Sequence, residues 1–178
     1  MDAFDYAFNQ TLGLEGGYSD NPDDKGGQTN YGITEAVFRD ALKRMVISGV
    51  NDIRNITPAH AKAIYKTDYW HRIRLGEILN VGIAAEIFDT AVNMGTGMAV
   101  KIAQRALNFL GEDLAADGMM GSKTIEALNR WSQKDSRALF VCLNGFQFMR
   151  YIEICKGAPT QKIFARGWTK RIQEYKVK

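Results

Sequence analysis

The sequence predicts a mostly α protein whose first helix is followed by a polar loop able to hold a small β-hairpin. Three observations point there. Apolar residues recur at helical spacing along most of the chain, and only 3 prolines interrupt its 178 residues. One run, EGGYSDNPDDKGGQTNYGIT at 15–34, instead concentrates three aspartates and five glycines and holds no apolar stretch long enough for a buried strand. At 46% hydrophobic the chain can bury a real core, as one compact domain or two small modules.

The elements follow in order. Phe4, Phe8 and Leu12 repeat every fourth residue, so 2–14 reads as an amphipathic helix. Gly16 and Gly17 stop it, which leaves Glu15 at its C-terminal end. Asn21-Pro22 and Lys25-Gly26-Gly27 supply turn chemistry down to Gly32. Thr34 caps a helix that runs to about Met45. Thr57-Pro58 pairs an N-cap with proline at the first helical position, opening a helix that ends near Trp70. Further helical patterns cover 81–93, 97–110, 121–132, 136–155 and 164–176. No Ser/Pro-rich linker and no solenoid repeat is visible.

Charge and cysteine usage narrow the function classes. Charges of both signs are mixed, which argues against disorder. No apolar run approaches the ~20 residues of a membrane span. The N-terminus has acids and no basic region, so a secretory signal is not expected. The chain is expected to be made in the cytoplasm and to need help to leave it. Residues 1–80 carry a net −2 and residues 81–178 a net +5. That asymmetry suits an anionic partner such as a wall polymer, although a solvated helical surface explains it equally. It is far from the dense basic stripe of a nucleic-acid binder. Cys142 and Cys155 lie ~20 Å apart along one helical segment, beyond disulfide reach, and read as free, buried thiols. Two histidines, His60 and His71, are too few for a zinc site and read as surface or packing residues. A calcium loop opening at Asp20 would need an acid where Tyr31 stands, and Pro22 interrupts its ligand run.

Glu15 raises a more specific possibility. Glycoside hydrolysis needs a proton donor for the leaving oxygen and a carboxylate across the sugar. A glutamate at a helix end, partly buried against apolar neighbours, has its pKa raised toward such use. Asp20, Asp23 and Asp24 in the loop are candidates for the second carboxylate. An ordinary helix-end glutamate followed by a solvated acidic turn fits these features as well.

The run at 15–34 also resembles the signature of family 108 glycoside hydrolases, phage-type lysozymes acting as N-acetylmuramidases. The matching blocks are Glu-Gly-Gly-Tyr at Glu15 to Tyr18, Asp-x-Gly-Gly-x-Thr at Asp24 to Thr29, and Tyr-Gly-Ile-Thr at Tyr31 to Thr34. IYKTDYWHRIR (64–74) is similar to the family's Tyr-x-x-x-Tyr-Trp segment, and FDTAVNMGTGMAVKIAQRALNFLG (88–111) to its Phe-Asp-x-Ala-Val-Asn-x-Gly block. ADGMMGSKTIEAL (116–128) resembles the signature of helical peptidoglycan-binding modules, and Gly167 to Arg171 carries a looser Gly-Trp-x-x-Arg similarity. The resemblance implies a lysozyme-like helical fold with the small hairpin after a catalytic helix. It implies that Glu15 is the catalytic acid, with Asp24 and Thr29 as its catalytic companions.

Several further residues carry two readings each. Tyr18, Tyr31, Tyr69 and Trp70 could stack on sugar rings or belong to the core. Asn93 follows the apolar stripe Ile83, Ile87, Ala91 and reads as cleft lining. Asp117-Gly118 reads as a turn and helix cap before it reads as a ligand contact. Met94, Met98, Met119 and Met120 are simplest as core filling.

The resulting expectation is a lysozyme-like catalytic region over 1–95 and a helical peptidoglycan-binding region over 96–178, packed together as one body. The activity expected is N-acetylmuramidase, cutting the β-1,4 bond from N-acetylmuramic acid to N-acetylglucosamine with inversion. The alternatives are a lytic transglycosylase on the same polymer and a non-catalytic wall-binding or secretion-accessory protein. No cofactor or metal is implied; the partner is peptidoglycan, not nucleic acid, with no stable membrane insertion. A monomer is expected that reaches the wall through holin-type or other assisted release.

Overall fold

The computed structural model describes residues 2–12, 18 and 28–172. Helix α1 (Ala3–Leu12) lies along α4 (Val81–Met94). The spacing that marked α1 as amphipathic turns Phe4, Ala7 and Phe8 inward. There Phe4 meets the edges of Trp70 and Phe88 at ring-centre distances of 5.7 and 5.9 Å, a favourable aromatic geometry.

The small hairpin stands at the end of the polar run. Strand β1 (Thr29–Asn30) pairs antiparallel with β2 (Ile33–Thr34), in the register Thr29 to Thr34 and Asn30 to Ile33. Tyr31 and Gly32 form its two-residue loop with φ of 51° and 72°, the sign a type I′ turn requires at both positions. A Cβ at residue 32 would also stand 2.9 Å from the Tyr65 hydroxyl. Asn30 is buried, and its Nδ2 donates to the Ile53 carbonyl at 2.9 Å, tying the hairpin to a segment 23 residues further along the chain.

Helix α2 (Glu35–Lys43) begins where expected, with the Val37 amide donating to Thr34 Oγ1. Helix α3 (Pro58–Tyr65) has the Thr57 cap as a reciprocal box, in which His60 Nδ1 accepts from the Thr57 amide. Instead of continuing regularly to Trp70, α3 passes into a π-helical turn at Lys66–His71. Helix α5 (Thr96–Phe109) follows α4 after Gly95, and α6 (Ser122–Gly157) packs on both. The two helical patterns read at 121–132 and 136–155 are the limbs of α6. They meet at a kink at Asp135, whose Oδ1 caps the second limb by accepting from the Ala138 amide.

Beyond α6 the chain is less regular than its periodicity suggested. A 3-10 segment, Pro159–Phe164, leads into the short helix α7 (Ala165–Thr169) in place of the start of a helix over 164–176. Residues 173–176 of that expectation lie outside the described residues. One apolar core runs without a break from Phe4 to Leu143. Two further expectations need correction. Cys142 and Cys155 are free but only half-buried. Met119 is 68% exposed while Met120 is buried, because the turn at 117–118 faces only one of the two inward. No helix among the described residues is long and apolar enough to cross a membrane.

Candidate active site

Two of the motif runs line one groove of about 630 Å³, and the third ends just before the helix that forms its remaining wall. The run ending Tyr31 to Thr34 leads directly into Ala36 and Val37, in the first turn of α2. The Tyr-Trp segment contributes Tyr69 and, just beyond it, Arg72. The Ala-Val-Asn-Met-Gly run ends in Gly95 and Thr96, at the corner between α4 and α5. Tyr65 links the first two, since its hydroxyl donates to the Tyr31 carbonyl at 3.2 Å and its ring lies 5.4 Å from that of Tyr69.

The groove wall is rigid and charged. Arg44 donates from Nη1 and Nη2 to the two oxygens of Asp68, both at 2.8 Å, and from Nε to Asp40 at 2.7 Å. Two parallel bonds to one carboxylate fix the guanidinium plane as well as its position. Tyr69 is half-buried, and that burial, with Asp68 adding to it, holds its phenol above its ordinary pKa. The ring therefore stays neutral at physiological pH and offers a face together with a hydroxyl.

The residues anticipated from sequence are distributed unevenly. Glu15 and Asp24, with Asp20 and Asp23, lie outside the described residues. Thr29 is half-buried on β1 beside Thr34, and Tyr31 is half-buried at the turn. Tyr18 is 41% exposed. Trp70 is a correction: at 4% exposure, with its ring against Phe4 and Phe88, it has no open face for a sugar. The π-helical turn directs it inward and leaves its neighbour Tyr69 on the groove. Asn93 is half-buried, with its Oδ1 accepting from the Tyr151 hydroxyl at 2.9 Å. It borders a second, smaller cavity of about 130 Å³ together with Met94, Met98 and Trp168.

A buried polar cluster beneath Asn93 was not anticipated. Asp89 is almost fully buried and accepts from Arg171 Nη1 at 2.7 Å and from Gln147 Nε2 at 3.4 Å. Burial pushes its carboxyl up, while Arg171 pulls it back. Glu86, one turn earlier, is buried, and the side-chain amide of Asn144 offsets that burial only in part. Burial and the nearby Asp89 raise its pKa to about 8. Asp89 stands in the Phe-Asp block and Arg171 in the Gly-Trp-x-x-Arg similarity, so both ends of this pair had left a trace in the sequence. Elsewhere Asp117-Gly118 behaves as a turn, with Asp117 Oδ1 accepting from the Met119 amide and from Gln104. Among the described residues no group of three or more His, Cys, Asp or Glu is arranged to hold a metal ion.

Comparison with known proteins agrees with this architecture. Residues 8–95 match the family model described as glycosyl hydrolase 108, and residues 98–173 match a model described as a predicted peptidoglycan domain. The structure is similar to that of SagA from Brucella abortus, with a TM-score of 0.74 and 30% identity. That similarity spans 95% of this chain and 88% of the other. No curated protein matches significantly. The fold is mostly α and lysozyme-like, as the sequence implied.

Proposed function

The chain belongs to glycosyl hydrolase family 108 and joins to that region a predicted peptidoglycan domain; we propose that this peptidoglycan hydrolase is an N-acetylmuramidase. It cleaves the β-1,4 bond between N-acetylmuramic acid and N-acetylglucosamine. The observation that carries the reading is that two family-like runs line one groove directly after the third, with a charged wall and a neutral tyrosine face.

In this mechanism Glu15 is the general acid. It protonates the bridging oxygen as the bond to the muramyl anomeric carbon breaks, leaving an oxocarbenium-like centre. Asp24 removes a proton from a water that attacks that carbon from the opposite face, so the configuration inverts. Thr29, on the hairpin, helps to hold that water, and Tyr31 and Tyr69 hold the sugar chain. The protein acts on the wall after assisted release from the cytoplasm.

Turbidity clearing of purified walls tests the assignment. Glu15→Gln keeps shape and removes the proton, so clearing should fall by ~10²–10⁴ while folding and wall sedimentation persist. A variant that clears walls at the parent rate would end the role of Glu15. The products test the rest. Reducing muramic ends are expected, with the α-anomer released first. A 1,6-anhydro end would make the protein a transglycosylase, and initial release of the β-anomer would remove Asp24 from its role.

A further inference from the structure

We propose that Arg72 is a specificity-determining residue whose guanidinium reads a carboxylate on the muramyl substituent of the wall glycan. The inference rests on the groove being the surface that holds the glycan. Four charged side chains line that groove: Asp40, Arg44, Asp68 and Arg72. Three of them satisfy one another, because Arg44 takes both oxygens of Asp68 and one oxygen of Asp40. Arg72 is exposed and pairs with no carboxylate among the described residues. It is the lining cation left over.

An exposed arginine that pairs with no carboxylate among the described residues adds little to folding through them, so their stability does not account for its place. What it offers is a planar fork of donors matched to a carboxylate. Its position beside the neutral ring of Tyr69 gives the groove a sugar-facing surface and an anion-facing one within three residues. The wall polymer has the complementary pattern. N-acetylglucosamine shows only hydroxyls and a neutral amide. Every muramyl sugar bears a lactyl ether, which ends in its own carboxylate or continues into an acidic stem peptide. A cation on one side of the groove therefore sets the register, deciding which of two nearly identical sugars lies beside it. The same charge also draws anionic strands toward the groove before contact.

The test uses soluble glycan strands in three forms: with stem peptides, with peptides removed to free the lactyl carboxylate, and with that carboxylate capped as a neutral methylamide. Binding is measured calorimetrically to the full chain carrying Glu15→Gln, which prevents turnover, with and without Arg72→Gln. Anionic strands are expected to bind about tenfold tighter than the capped strand. Arg72→Gln should bring that ratio close to one, and Arg72→Lys should keep part of it. Collapse of the ratio for peptide-bearing strands alone assigns the carboxylate to the stem peptide. Collapse for peptide-free strands alone assigns it to the lactyl group, and collapse for both means that Arg72 reads whichever carboxylate the substituent presents. A ratio that Arg72→Gln leaves intact, or a parent with no preference among the strands, overturns the proposal. A parent that binds none of the three overturns the glycan reading of the groove, and this inference with it. The thermal midpoint of Arg72→Gln should equal that of the parent, because the side chain is exposed.

Discussion

Glu86→Gln should make the protein more stable, and more so as pH rises. The carboxyl is 2% exposed, and burial, with Asp89 nearby, raises its pKa to about 8 against 4.5 for the free side chain, Asn144 offsetting this only in part. A group whose pKa is higher in the folded state takes up a proton on folding. Its contribution is full below about pH 4.5 and declines as pH rises through about 8. The decline is about 1.4 kcal/mol per pH unit within that window. Between pH 5 and pH 7 the parent should therefore lose about 3 kcal/mol that the glutamine variant keeps. For a chain of this size that separates the two thermal midpoints by roughly 6–12 °C. Thermal unfolding of both proteins at half-unit steps from pH 4.5 to 8.5 reads the difference directly. Asp89, Arg171 and Tyr151, the other titratable groups in the cluster, are common to both proteins, so their contributions largely cancel. Parallel curves across the range would mean that Glu86 exchanges no proton on folding, and the account of its burial would fail.

Other perturbations have equally definite outcomes. Arg171→Met leaves the buried Asp89 carboxylate without its cation, so denaturant unfolding should show a loss of about 3–5 kcal/mol. Asp89→Asn on top of it should recover much of that loss, and a strictly additive double variant would count against the pair. Gly118→Ala places a Cβ 2.7 Å from the Gly97 carbonyl oxygen at a φ of 82°, and should cost about 1–3 kcal/mol in the same assay. A neutral result there would mean that the turn and α5 can move apart freely. Lys123→Glu, at an exposed position in the second half, should weaken co-sedimentation with walls at low salt if that half's positive charge contributes to binding.

What the sequence made legible was local. The Thr34 and Thr57-Pro58 caps sit within a turn of the residues they satisfy, and both form. The split near Asp135 showed as a break between two periodic stretches, and the aspartate that caps the second came only with the structure. Trp70 was not readable in this way. An aromatic at a helix end faces the core or the solvent according to a π-helical turn that no spacing announces. The groove was visible only as separate motif runs, and nothing in their spacing showed that the segments at 68–72 and 95–96 meet beside the first turns of α2. Asp89 and Arg171 each lay in a recognisable block, but a pair separated by 82 positions has no local signature.

That same separation has a consequence in time. Ribosomes add about 5–20 residues each second. On the order of 4–16 s therefore passes between incorporation of Asp89 and of the arginine that neutralises it. Throughout that interval α1 and α4 can find each other, but closing them buries Asp89 without its counter-charge. Closing the N-terminal half before Arg171 is made therefore costs more than closing it afterwards.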